Sequence, residues 1–197
     1  MKRHDTGMSL IELLAAVAIA GIIAIISIGA FANYRRHNAV RGAAAELRSI
    51  FHAARMRAIT CRRNTALKFT RSSSQWRYAL YEDTNGNGVR NDDIAGGIDR
   101  PLAPPAPVAR LSPDLATIGL PATTIVDPDG DRLPPDSPPV QFNRSTLCSF
   151  SPEGASTPGT IYLTDRAGEL YAVRVYGATA KIRVLRYDAS SRKWESR

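Results

Sequence analysis

An uncharged run of 22 residues, Leu13 to Tyr34 (LLAAVAIAGIIAIISIGAFANY), constrains this chain more than any other feature, and a lone carboxylate, Glu12, stands directly before it. As an α-helix the run would measure about 33 Å, enough to cross the hydrocarbon core of a bilayer. The segment ahead of it, MKRHDTG, is short and basic and ends in Gly7. A secretory signal has its cleavage site after the apolar core, which is discarded with it. Here the apparent processing point, Gly7, precedes the core, so a cut there would leave the helix on the mature chain. A carboxylate one turn inside such a helix costs a few kcal/mol in lipid and normally faces the interface or a partner. Two readings of Glu12 follow. It rests at headgroup level without a partner, or it pairs with the amino terminus of a neighbouring subunit and sets helix register while packing supplies the bulk of association.

Beyond Tyr34 the apolar positions keep a helical beat. Val40, Ala44, Leu47, Phe51, Ala54 and Ala58 recur at spacings of four and three, with Arg41, Glu46, Arg48, Arg55 and Arg57 on other sides. The helix is therefore predicted to continue to about Thr60, with Gly29 and Gly42 as points where it can bend. From residue 64 the period changes to two. Ala66–Thr70 and Trp76–Tyr81 read as strands about a turn at 71–74, with Trp76, Tyr78 and Leu80 on one face. Thr160–Thr164, Leu170–Tyr176 and Ala180–Tyr187 read as a meander turned at 165–168 and 177–179. Of 13 prolines, 11 lie between Pro101 and Pro139, so that stretch is expected to be an irregular excursion holding at most one or two short edge strands, such as Thr123–Val126. The expected organisation is a leader at 1–7, a transmembrane helix at 8–34, its amphipathic continuation at 35–62, and a β-rich globular domain at 63–197, an α+β chain with one modest core.

The N-terminal segment GMSLIELLAAVAIAGIIA resembles the class III signal of type IV prepilins and type II secretion pseudopilins. The resemblance implies that a prepilin peptidase and methyltransferase cuts between Gly7 and Met8, that Met8 becomes the N-methylated first residue, and that Glu12 is the acid used in subunit assembly. Met8 stands where the family usually has Phe. Near the other end, FSPEGASTPGTIYLTDRAGELYAVRVYGATAKIRV (Phe150 to Val184) is similar to the end of FimT/GspH-type minor pilins and pseudopilins. Together these imply a type IV pilin-like fold, with a long N-terminal helix packed on an antiparallel sheet. They also imply a subunit held in the inner membrane lipid with its body in the periplasm, whose partners are other pilins or pseudopilins of one filament, with a tip or initiation role.

Net charge is +8, of which the leader residues Lys2, Arg3 and Asp5 supply +1, and this basic balance suits anionic lipid, nucleic acid or solubility alike. Lys181 and Arg183 share one face of the last predicted strand and Arg186 follows; some FimT-like relatives bind DNA through a Gly-Arg-x-Arg motif here, where this chain has Ala180-Lys181-Ile182-Arg183. The alternatives are DNA contact and a solvated basic edge. The loop DTNGNGVRN sets Asp83, Asn85, Asn87, the Val89 carbonyl and Asn91 at calcium-loop spacing, but Ile94 stands where a bidentate acid is wanted, so calcium and a plain Asn-Gly turn are both open. Asp127, Asp129 and Asp131 form a second acidic turn, read as structural. Cys61 and Cys148 are too far apart in sequence for a zinc ribbon and are read either as an exported disulfide or as two buried thiols. With His37 and His52 the only histidines beyond the leader, and no nucleophile, zinc-protease or phosphate-loop motif, the chain is not expected to be an enzyme.

Overall fold

The computed structural model describes residues 10–73, 75–110 and 112–196, with side chains 24–30 and 32–33 outside that description. One helix, α1 (Leu10–Cys61), opens it. Its residues divide between two compact units, Met1–Arg35 and Arg36–Arg197. In the first unit Leu10, Ile11, Leu14, Val17, Ile19, Ile22 and Ile23 are all more than half exposed. Among the described residues no helix has an apolar stretch long enough to cross a membrane, and the expected span includes positions whose side chains lie outside them.

The second unit carries the core. Its helical stripe is the one the spacing predicts: Val40, Ala44, Leu47, Phe51, Ala54 and Ala58 are each 0–1% exposed. They pack on strands β1 (Thr65–Ser72) and β2 (Gln75–Glu82), which form a full hairpin from Thr65↔Glu82 to Ser72↔Gln75. After a short α2 (Asn91–Ala95), the proline-rich stretch holds four two-residue strands, β3 (Ala106–Pro107), β4 (Thr117–Ile118), β5 (Ile125–Val126) and β6 (Arg132–Leu133). This corrects the expectation of one or two. The prolines punctuate these strands, and Pro107 occupies the outer edge of its sheet, where the missing N–H costs no ladder bond.

The C-terminal part gives β7 (Val140–Phe142), β8 (Leu147–Phe150), β9 (Gly159–Thr164), β10 (Leu170–Val175), β11 (Ile182–Asp188) and β12 (Lys193–Ser196). One sheet runs β3-β2-β1-β8 and a second β12-β11-β10-β9-β4, with β7 also on β9. The last meander strand starts at Ile182, two residues later than predicted, because Ala180 takes a left-handed conformation (φ 45°). Every described pairing between named strands is antiparallel. The fold class is α+β with a pilin-like arrangement of helix on antiparallel sheets.

Phe51 projects from α1 into the centre of the core, its ring 5.8–6.2 Å from those of Phe69, Phe142 and Phe150. Four aromatic rings from one helix and three strands join both sheets to the helix. A smaller cluster lies elsewhere: Tyr162, Leu170, Ala172 and Leu185 pack with Ile125, Leu120 and Leu133 of the proline-rich excursion. That cover explains why β10 begins with four consecutive buried residues where a one-sided strand would alternate. Gly159 is obligatory where β7 meets β9, since a methyl there would strike the Gln141 carbonyl and the Phe142 ring.

Candidate assembly helix and processing site

Gly7 and Met8, the expected cleavage and methylation positions, lie outside the described residues. Glu12 is in the first turn of α1 and exposed, surrounded in sequence by exposed Leu10, Ile11, Leu13 and Leu14. Exposed apolar side chains at such density need covering by lipid or other helices.

At the start of the second unit, His37 Nδ1 meets Glu169 Oε1 at 3.0 Å. Glu169 also accepts from Arg186 Nε at 3.2 Å and Nη2 at 3.0 Å, a bidentate pair. Burial pushes the Glu169 carboxyl up, but hydrogen bonds from Arg186 and His37 outweigh it and hold the group below its ordinary value. Two further ties run from α1: Glu46 accepts from the Arg110 backbone N–H at 3.3 Å, and Arg57 makes a two-nitrogen contact with Glu82 at 2.9 and 3.1 Å. Sequence reading missed His37, Glu169 and Glu82. Their partners are distant in sequence, and the available signal was only that each is a polar residue beside an apolar stripe.

Arg186, placed among the possible DNA contacts, is thus committed to Glu169. Arg183 is exposed and sits 5.9 Å from the Tyr176 ring, while Arg174, directly opposite it across β10 and β11, lies 5.3 Å from the same ring and pairs with Asp129 at 2.6 Å. Lys181 is exposed beside them. The structure therefore leaves two of the three cations facing outward.

In the Asp83 loop the side-chain oxygens of Asp83, Asn85 and Asn91 are engaged by the chain itself. Asp83 accepts from Gly86 N–H and Gly88 N–H, each at 2.7 Å, and from Asn64 Nδ2 at 3.1 Å. Burial raises the Asp83 carboxyl, and these bonds more than reverse it. Asn85 accepts from the Asn87 N–H, and Asn91 Oδ1 takes the Lys68 ammonium at 2.5 Å; Val89 packs beside Ala66 and Leu147. Asp127 closes its own turn through the Asp129 and Asp131 N–H groups, as predicted. The disulfide is not formed: Cys61 ends α1 exposed, whereas Cys148 is fully buried in β8 with its thiol directed at the Thr157 carbonyl, 3.7 Å away. Both cysteines are free, and burial pushes the Cys148 thiol well up.

Comparison with protein families decides what this arrangement is. The type II transport protein GspH model matches residues 43–179, and the prokaryotic N-terminal methylation motif matches residues 2–28. The chain belongs to the GspH family. No curated protein and no solved structure gave a significant match. The GspH match begins inside the buried half of α1 and runs through β10, so it covers most of the core. As a GspH-type chain with this motif, the protein is a minor pseudopilin or pilin subunit of a type II secretion or type IV pilus system, belonging to a structural family. It is membrane-associated, a prepilin peptidase substrate, and assembles with other pilin-like subunits.

Proposed function

We propose that the protein is a low-abundance filament subunit, acting at the tip or in initiation, that spans the inner membrane once with its body in the periplasm until it is drawn into a pseudopilus or pilus. In this reading the peptidase cuts after Gly7, Met8 is methylated, and Glu12 pairs with the amino terminus of the adjacent subunit. The observation that carries it is the exposed apolar surface of the first half of α1 with a single acid in its first turn. Burial of that surface against other helices supplies the association, and the charge pair selects register.

The reading is tested by Glu12→Ala. Membrane insertion should be unchanged or improved, because a costly charge has been removed, while co-purification with the other filament subunits should fall several-fold. Normal co-purification would make Glu12 a bystander. DNA contact through Lys181 and Arg183 is the second reading, favoured by their exposure, but Arg186 is held by Glu169 and withdrawn from such a patch.

A further inference from the structure

The loop that follows β2 turns twice through glycine. Gly86 and Gly88 both take positive φ, 80° and 85°, which a residue with a side chain adopts only under strain. Each glycine follows an asparagine, so the turn carries two successive Asn-Gly dipeptides, Asn85-Gly86 and Asn87-Gly88. Asn85, Gly86 and Asn87 are exposed, and water reaches them.

An Asn-Gly pair is chemically labile because the glycine has no side chain to shield its amide nitrogen. Once that nitrogen gives up its proton it bonds to the side-chain Cγ of the preceding asparagine, ammonia leaves, a cyclic imide closes, and water opens the imide to aspartate or isoaspartate. The step needs the nitrogen free. Here both nitrogens are occupied, and by one side chain: Asp83 Oδ1 accepts from the Gly86 N–H and Asp83 Oδ2 from the Gly88 N–H, each at 2.7 Å. Deprotonation would break a charge-assisted hydrogen bond and set an amide anion against a carboxylate. Asp83 is itself fixed: it is 4% exposed, it accepts from Asn64 Nδ2 at 3.1 Å, and its own N–H donates to the Asn64 carbonyl at 2.9 Å. Burial raises its carboxyl, but the bonds it accepts from Asn64, Gly88 and Gly86 more than reverse this, so it is a poor base for taking the proton itself. Asn85 is restrained further, its Oδ1 accepting from the Asn87 N–H at 3.3 Å.

We propose that Asn85 and Asn87 are latent deamidation sites and that Asp83 keeps them intact by holding the attacking nitrogen of each. The closed loop preserves both asparagines, and an opened loop exposes them to conversion. Each conversion puts a new carboxylate into the same turn as buried Asp83, and that like charge disfavours reclosing. Opening followed by conversion is therefore a one-way change of the loop.

The test follows the full chain in detergent micelles at mildly alkaline pH, with mass spectrometry of the tryptic peptide 78–90 reading the conversion of each asparagine over time and circular dichroism checking the fold. The folded chain should convert roughly 10–100-fold more slowly than the same chain in urea, the ratio that one charge-assisted hydrogen bond at each site supplies. Folded Asp83→Ala should recover most of the urea rate at both sites. Asn64→Ala, which loosens Asp83 without touching the glycines, should recover part of it. In urea all three chains should convert alike. Equal rates for the folded and denatured unaltered chain would overturn the proposal. So would a folded Asp83→Ala chain that converts as slowly as the unaltered one, or more slowly, the sign of a carboxylate acting as base. Should Asp83→Ala fail to fold, an Asn64→Ala chain that converts no faster than the unaltered one would overturn it alone.

Discussion

His37 of α1 and Glu169 at the entry to β10 are joined at 3.0 Å, and Arg186 of β11 grips the same carboxylate from its other side. One acid thus ties the helix to two strands of the second sheet, at the helical end where the globular unit begins. Glu169→Gln should destabilise the body by about 1–2 kcal/mol, because it leaves Arg186 without its charged partner, as measured by chemical denaturation. The pH dependence has a definite sign. The folded Glu169 carboxyl is depressed, so its contribution is present above the ordinary glutamate range and is lost as pH falls through the lower folded value. Glu169→Gln should flatten the acid limb of the stability curve below about pH 4.

Phe51→Ala removes the ring on which Phe69, Phe142 and Phe150 converge. The loss should be about 3–5 kcal/mol, since strands from two sheets would have to collapse into the space. Met56→Ala, on the exposed side of the same helix, should cost under about 0.5 kcal/mol in the isolated chain. Equal effects of the two substitutions on thermal unfolding would contradict the helix orientation.

The helix and its buried face were legible because period 3.6 over a long segment leaves few alternatives: each of the six stripe residues from Val40 to Ala58 is buried. The β1–β2 hairpin and the last meander were legible from alternation near a turn. β7 and β8 were not, since they are short and their partners, β9 and β1, are distant in sequence or hidden by intervening loops. β12 was hidden too, because its residues KWES are polar and mostly exposed, and Trp194 is anchored through its indole N–H to the Val126 carbonyl in the excursion, 2.8 Å away. At the candidate site, the charge order around Gly7 and Glu12 could be read directly. The commitment of Arg186 to Glu169, and of Asn91 to Lys68, could not, because each depends on long-range pairing.

The exposed cations give a separate prediction about nucleic acid. A body comprising 36–197 should bind duplex DNA only weakly, with affinity falling as salt rises, and changing Lys181 and Arg183 together to Gln should reduce the logarithmic salt slope by about 2. Arg186→Gln should change stability more than the slope, because its guanidinium is paired with Glu169. A slope change for Arg186→Gln equal to that for Arg183→Gln would contradict that pairing in solution.

The central claim is that this chain is a processed filament subunit, and intact-mass and N-terminal analysis of the protein from cells containing a prepilin peptidase tests it most directly. The account predicts a chain that begins at N-methyl-Met8 and retains the whole apolar helix, with Gly7→Ala blocking or strongly slowing the cut. A chain that keeps Met1, or one cleaved beyond the apolar run, would contradict it.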